Sequence, residues 1–428
     1  MENMQEDFLH FIYKNRLWDK TFQQLVTGEE FEIIDTGIHN FDSGPDFFNA
    51  KIKIGDTIWA GNVEIHIKSS DWEKHNHSRD LSYNNVILHI VYNDDKPVQT
   101  SKNYKIPTWE IKFSHILLNK YFEFKTNENP IHCHEYLDLV SDIKKSYWLE
   151  RMATERLERK TEYISTLYDK YSGNFEEIFY ISLARSFGFG INAEPFEQLA
   201  HSIPLKIVIR NCDNNLKTEA LLFGQSGFLE NAANDDYVID LKREYSFLRL
   251  KYGLTPIASV SWKKSKLRPS NFPQIRIAQF ATLMSNFRFL FSSVFESGTP
   301  ADSHKYFDFD VSEYWKTHYI FGKPTTKTRA KFGKDAFNII AINTIAPLAF
   351  YYYKNYKVNF NTELIIDWMI KLKPEANRET KIWKELNIIP ENALESQALL
   401  NLKKNYCDKF KCLDCSLGYE ILKELNKI

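Results

Sequence analysis

Between Gly28 and Phe113 apolar residues come in short alternating runs, and from Pro130 onward they recur at helical spacing. This one change of period constrains the fold most, because a strand shows its side chains to two faces in turn while a helix repeats about every 3.6 residues. Residues 31–36, 49–54, 58–68 and 86–92 read as strands, separated by turns on Gly37, Gly44-Pro45 and Gly55-Asp56. A further strand is expected within 104–113, with Pro107 pushing it to a sheet edge. Ahead of them, Phe8, Leu9, Phe11 and Ile12 fall on one face of a helix over residues 5–16. Helices are expected at 147–160, 176–187, 237–250, 275–287, 336–353, 361–372 and 396–406. The expected fold class is α+β, a mixed sheet with flanking helices over residues 1–128 and a mainly helical domain over 129–428 that ends in a cysteine cluster.

With 428 residues, 43% hydrophobic and 15% aromatic, the chain has material for more than one packed core. Its 55 basic and 56 acidic side chains nearly cancel, so any contact with a polyanion must come from a local basic surface. The acidic start is unlike a secretory signal, and the most apolar later stretch, 339–353, is shorter than a membrane span. With five cysteines the expectation is a cytoplasmic, membrane-free protein without a disulfide framework.

Two clusters carry chemistry. Gly44-Pro45-Asp46-Phe47 is followed by Gly61-Asn62-Val63-Glu64-Ile65-His66-Ile67-Lys68. On a strand, Glu64, His66 and Lys68 share one face, with Asp46 at the start of a neighbouring strand. Two carboxylates so placed can share Mg²⁺ or Mn²⁺, and a basic side chain beside them can orient water or stabilise charge. Pro-Asp followed by Glu-x-His resembles the PD-(D/E)xK nuclease superfamily, with His66 where lysine is usual and Lys68 one step further on the same face. That resemblance implies a restriction-endonuclease-like core and a metal-dependent nuclease acting on DNA rather than RNA. In that reading Asp46 and Glu64 hold the ion and His66 and Lys68 assist. The alternative is a nucleic-acid- or protein-binding module that keeps the sheet without the activity. With 71–77, 267–276 and the cysteine-rich tail, the same stretches resemble an uncharacterised bacterial family of about this length.

Five of the twelve histidines lie between 39 and 89. His75, His77, Asp80 and His89 are therefore cleft candidates, and a His-x-His pair can offer two imidazoles to one metal. The second cluster is Cys407-x4-Cys412-x2-Cys415. Three of five cysteines within nine residues point to metal before disulfide, with Cys133 or else Cys212 as fourth ligand. An Fe–S cluster, Zn²⁺ and free thiols all remain open. The tail is similar in outline, with different spacing, to that of iron–sulfur members of the nuclease superfamily. Nucleic acid is the expected partner, held by Lys263, Lys264, Lys266, Arg268 and Arg276 next to Trp262 and Phe272.

Overall fold

A computed structural model describes residues 4–233, 235–356 and 363–427. It divides into two compact units, residues 1–148 together with 403–428, and residues 149–402. The expected join at 128/129 falls inside the first unit, just after a helix that ends at Thr126.

The first unit opens with helix α1 (Glu6–Lys14), which buries Phe8, Leu9, Phe11, Ile12 and Tyr13. Its sheet contains β1 (Phe31–Asp35), β2 (Ile38–His39), β3 (Phe47–Ile54), β4 (Thr57–Lys68), β5 (Val86–Asn93) and β6 (Thr108–Glu110). The order is β1-β3-β4-β5-β6, with β2 paired to β3. Pairing is antiparallel from β1 to β4 and parallel from β4 to β6, so the sheet is mixed. The parallel step from β4 to β5 cannot be made by a tight hairpin. Its crossover contains the short helix α2 (Asp71–Lys74) and two 3₁₀ turns, His77–Arg79 and Leu81–Asn85. Helix α3 (His115–Thr126) and the C-terminal helix Ser416–Leu425 complete this unit. The α+β expectation holds at this level: a mixed sheet followed by a largely helical region.

The strand expected within 104–113 is only three residues long. Pro107 lacks an N–H, though its carbonyl still accepts the His89 N–H at 2.9 Å. The helix expected over 336–353 is split in three, Lys334–Ile340, a π-helical turn Ala341–Ile345, and Ala346–Tyr356. Pro347 fixes φ and removes a donor just beyond the turn, which is where an α ladder must give way. Of the helix expected at 361–372, positions 361 and 362 lie outside the described residues, and Glu363–Lys371 is helical.

Gly61 lets β4 approach the start of β5. A Cβ there would lie 2.4 Å from Ile87 Cγ2 and 2.6 Å from the Asn85 carbonyl. Alanine at Gly55, which has open space around it, carries only the penalty of its left-handed φ of 55°. Gly61→Ala should therefore destabilise the fold by about 2–3 kcal/mol and Gly55→Ala by about 1 kcal/mol. Chemical denaturation of the two variants checks the order, and equal losses would contradict the close approach of β4 to β5.

Candidate metal centre

The β4–β5 pairing places Glu64 beside His89 and His66 beside Val91. Glu64, His66 and His89 are all buried. The Asp46 backbone N–H donates to Glu64 Oε2 at 3.1 Å, and the Ile65 N–H donates to Asp46 Oδ2 at 2.8 Å. The two carboxylates thus cross-brace β3 and β4. The loop before Asp46 is held by Asn40, whose side-chain amide donates to the carbonyls of Asp42, Ser43 and Pro45.

Crossover residues bring in two more imidazoles. Trp72 is fully buried, donates its indole N–H to the Gln99 carbonyl at 3.1 Å, and packs edge-on against His66, His77 and His89. Asn76 has a φ of 62°, a left-handed turn that asparagine tolerates, between His75 and His77. His77 is then stacked 3.8 Å from Tyr83. His66, His75 and His77 each offer a ring nitrogen within 4.8 Å of the other two. His66 Nε2 is 3.1 Å from His75 Nδ1, and Glu64 Oε1 is 3.2 Å from His77 Nε2 and 3.5 Å from His66 Nε2. Donors about 2.1 Å from one metal ion stand roughly 3–3.5 Å apart, and these contacts have that spacing.

His77 Nε2 is buried and has no hydrogen-bond partner, although Glu64 lies beside it. A buried polar nitrogen without a partner is costly, and a cation between it and the carboxylate would satisfy both. His66 Nδ1 is 2.9 Å from His89 Nε2. In the tautomer where His66 Nδ1–H donates to His89, the Nε2 lone pair of His66 faces His75, which is the arrangement a metal-binding imidazole needs. His75 is exposed, so the cluster opens to solvent on its side.

Burial, reinforced by the neighbouring imidazoles, lowers the His66 pKa to about 2 and the His89 pKa to about 3. Burial also lowers that of His77, so these rings are neutral, the form that binds metals. Glu64 is pushed up to about 9 by burial and then by the Asp46 charge. From α1, His10 Nε2 lies 3.2 Å from Asp46 Oδ2 in a close contact that falls short of a well-aligned hydrogen bond. Burial pulls the His10 pKa down, but the Asp46 carboxylate outweighs it and the net shift is upward. Glu6, one turn earlier, is pushed up by burial and also feels Asp46, His10 and His75.

A family model described as "Protein of unknown function" (DUF2851) matches residues 6–378. The chain belongs to the DUF2851 family. The DUF2851 match takes in Glu6 and every histidine of the cluster and ends before the three tail cysteines. No curated protein and no solved structure matches the chain.

Of the residues singled out in the sequence, the structure brings together Asp46, Glu64, His66, His75, His77 and His89. It leaves Lys68 out. β4 ends there, and Lys68 is exposed with its backbone N–H bonded to Asp71 Oδ2 at 3.0 Å. Asp80 is also outside, because its carboxylate accepts from the N–H and hydroxyl of Ser82 and caps the turn Leu81–Asn85. Glu6 and His10 were missed, although their i,i+4 spacing on α1 places them on one helix face.

The basic segment lies in the second unit, and part of it serves packing. Trp262 is buried and donates to the Ser226 carbonyl. Arg276 is buried as well, its guanidinium bonded to Asn271 and Gln279 and lying over the Phe189 ring, so it is not presented to a polyanion. Lys264 is half-buried with its ammonium over Phe228, while Lys263, Lys266 and Arg268 are exposed. Cys212 is buried in the second unit, bonded to the Ile209 carbonyl. Cys133, Cys407, Cys412 and Cys415 are free thiols of the first unit. Among the described residues, the only trio of donors at single-ion spacing is the histidine one, so a single zinc ion does not fit the cysteines as placed.

Because the half-buried Asp46 holds the N–H of buried Ile65, Asp46→Ala should lower stability by about 1–3 kcal/mol. Lys68→Ala should stay within about 0.5 kcal/mol. Urea unfolding measures both, and an Asp46→Ala variant as stable as the parent would show that the carboxylate does not brace the strands.

Proposed function

We propose that the protein is a metal-dependent phosphodiesterase acting on nucleic acid, with its ion held by His66, His75, His77 and Glu64. The observation that carries this reading is the convergence of three imidazole nitrogens within 4.8 Å, with the Glu64 carboxylate against two of the rings. An imidazole-rich donor set suits zinc or manganese better than magnesium, which prefers oxygen ligands. Asp46 supports the ion rather than leading its coordination, since its carboxylate already braces Ile65 and faces His10.

A divalent ion in such a site supplies charge for a phosphoryl oxygen and an acidified water. The protein's own groups supply the rest. His89 orients His66 through their 2.9 Å contact, and Trp72 walls the rings from bulk water. His10, paired with Asp46 at the edge of the cluster, is placed to hold a proton next to the carboxylates. Asp46 just ahead of β3 and Glu64 on the paired strand β4, the placement that resembles the PD-(D/E)xK pattern, support nucleic acid as the substrate class.

One observation favours a second reading, a module that binds without cutting: Lys68 is outside the cluster, and among the described residues no lysine is recorded acting on Glu64. The test separates the two. Protein stripped with chelator and reloaded with Zn²⁺ or Mn²⁺ is incubated with linear duplex DNA, single-stranded DNA and RNA, while calorimetry follows metal binding. The proposal expects one tight ion per chain and cleavage that Glu64→Gln and His77→Ala abolish. His89→Ala, which no longer orients His66, should weaken metal affinity about 10–100-fold. Metal binding with nucleic-acid binding but no cleavage selects the second reading. Cleavage that survives both variants belongs to a contaminant and ends the proposal.

A further inference from the structure

The cysteine-rich tail is built around a second point of convergence. The π-helical turn Lys403–Cys407 ends in Cys407, whose carbonyl accepts the Phe410 N–H at 3.0 Å. The same carbonyl lies 3.0 Å from His132 Nε2, and the His132 ring stacks on Phe410 at 4.4 Å. Residues next to Cys133 are thereby fastened to a segment 275 positions later. Cys412 and Cys415 form one turn, closed by the Cys415 N–H on the Cys412 carbonyl at 3.3 Å. Gly418 is required under that turn, because a Cβ there would come within 2.2 Å of the same carbonyl. Cys415 immediately precedes the helix Ser416–Leu425, and Cys133 immediately precedes the 3₁₀ helix His134–Leu139 that packs against it.

Four of the chain's five cysteines therefore sit on segments that these contacts draw together. Each is buried or half-buried, and Cys133, Cys407 and Cys412 all feel the charge of Cys415. Burial holds all four thiols well above the ordinary cysteine value, with Lys403 beside Cys407 and Lys125 beside Cys412 offsetting it only in part. The four sulfurs are not drawn in to single-ion spacing, which only the histidine trio meets among the described residues. A four-iron cluster takes one thiolate on each iron and so holds its ligands further apart than one tetrahedral zinc does.

We propose that Cys133, Cys407, Cys412 and Cys415 ligate an iron–sulfur cluster that clips the tail to the N-terminal unit. This does not depend on what the histidine cluster does. The clip also bears on α1, since Tyr419 of the C-terminal helix packs edge-on against Phe11, 6.2 Å between ring centres. Asp414, between the cysteines, lies within electrostatic reach of His39. The cluster thus braces the helix that carries Glu6 and His10.

The test is purification of the full chain without oxygen, followed by assay of iron and acid-labile sulfide, visible absorption and electron paramagnetic resonance after reduction. About four irons and four sulfides per chain are expected, either as purified or after reconstitution of metal-free protein with ferrous iron and sulfide. Cys133→Ser and Cys412→Ser should lose most of the iron, and Cys212→Ser should retain it. Hydrogen exchange should rise in 6–14 and 416–425 when the cluster is removed. Because a serine ligand variant could unfold the tail, the wild-type iron and sulfide content decides the matter by itself. Zinc in place of iron, no iron after reconstitution, or full iron in Cys133→Ser each overturns the proposal.

Discussion

The candidate site hangs on the parallel pairing of β4 with β5. That register puts Glu64 beside His89 and leaves His66 within 2.9 Å of His89, so an imidazole on one strand is oriented by an imidazole on the next. A slip of one residue would turn the whole polar set to the opposite face, where Val63 and Ile65 now pack. Hydrophobic burial enforces the register: Val63, Ile65, Leu88 and Ile90 are at most 1% exposed, and displacing any of them costs more than a surface contact could return.

Parallel pairing also dictates how the remaining ligands arrive. The chain must leave the sheet after β4 and return beside it, and the crossover that does so carries His75, Asn76, His77 and Tyr83. Trp72 anchors that crossover in a small core with Tyr83, Val86, Val98 and Ile106, and presents its ring edge to three of the histidines. Burying imidazoles is costly wherever a ring nitrogen lacks a partner, and His77 Nε2 lacks one. A cation bound among them, as we propose, would account for their grouping.

Much of the framework was legible in the sequence because it rests on local periodicity. The four principal strands, α1 and the helices expected at 147–160 and 176–187 follow from alternation, helical spacing and glycine turns, whereas the helices Ala193–Ser202, Leu205–Asn211 and Asn215–Gln225 were not expected. Asp46, Glu64 and His66 were legible for the same reason, since strand alternation alone puts Glu64 and His66 on one face. Alternation misled at Lys68, where the strand ends and the side chain leaves the cluster. Arg276 misled because a cation in a proline-rich, basic stretch reads as surface, whereas Asn271, Gln279 and the Phe189 ring let it be buried. Glu6 and His10 escaped notice because their role depends on how α1 packs against β4, a long-range contact that no local pattern encodes. The spacing of the tail cysteines was visible, but their meeting with the residues around Cys133 is likewise a product of packing.

The central claim is that one ion sits among His66, His75, His77 and Glu64. Crystals soaked with Zn²⁺ or Mn²⁺, with diffraction recorded on either side of the metal's absorption edge, test it directly. The account predicts a single strong anomalous peak with ring nitrogens of all three histidines about 2.0–2.2 Å away and Glu64 completing or closely flanking the shell. An absent peak, or one coordinated only by surface carboxylates while the three imidazoles keep their present contacts, would contradict it.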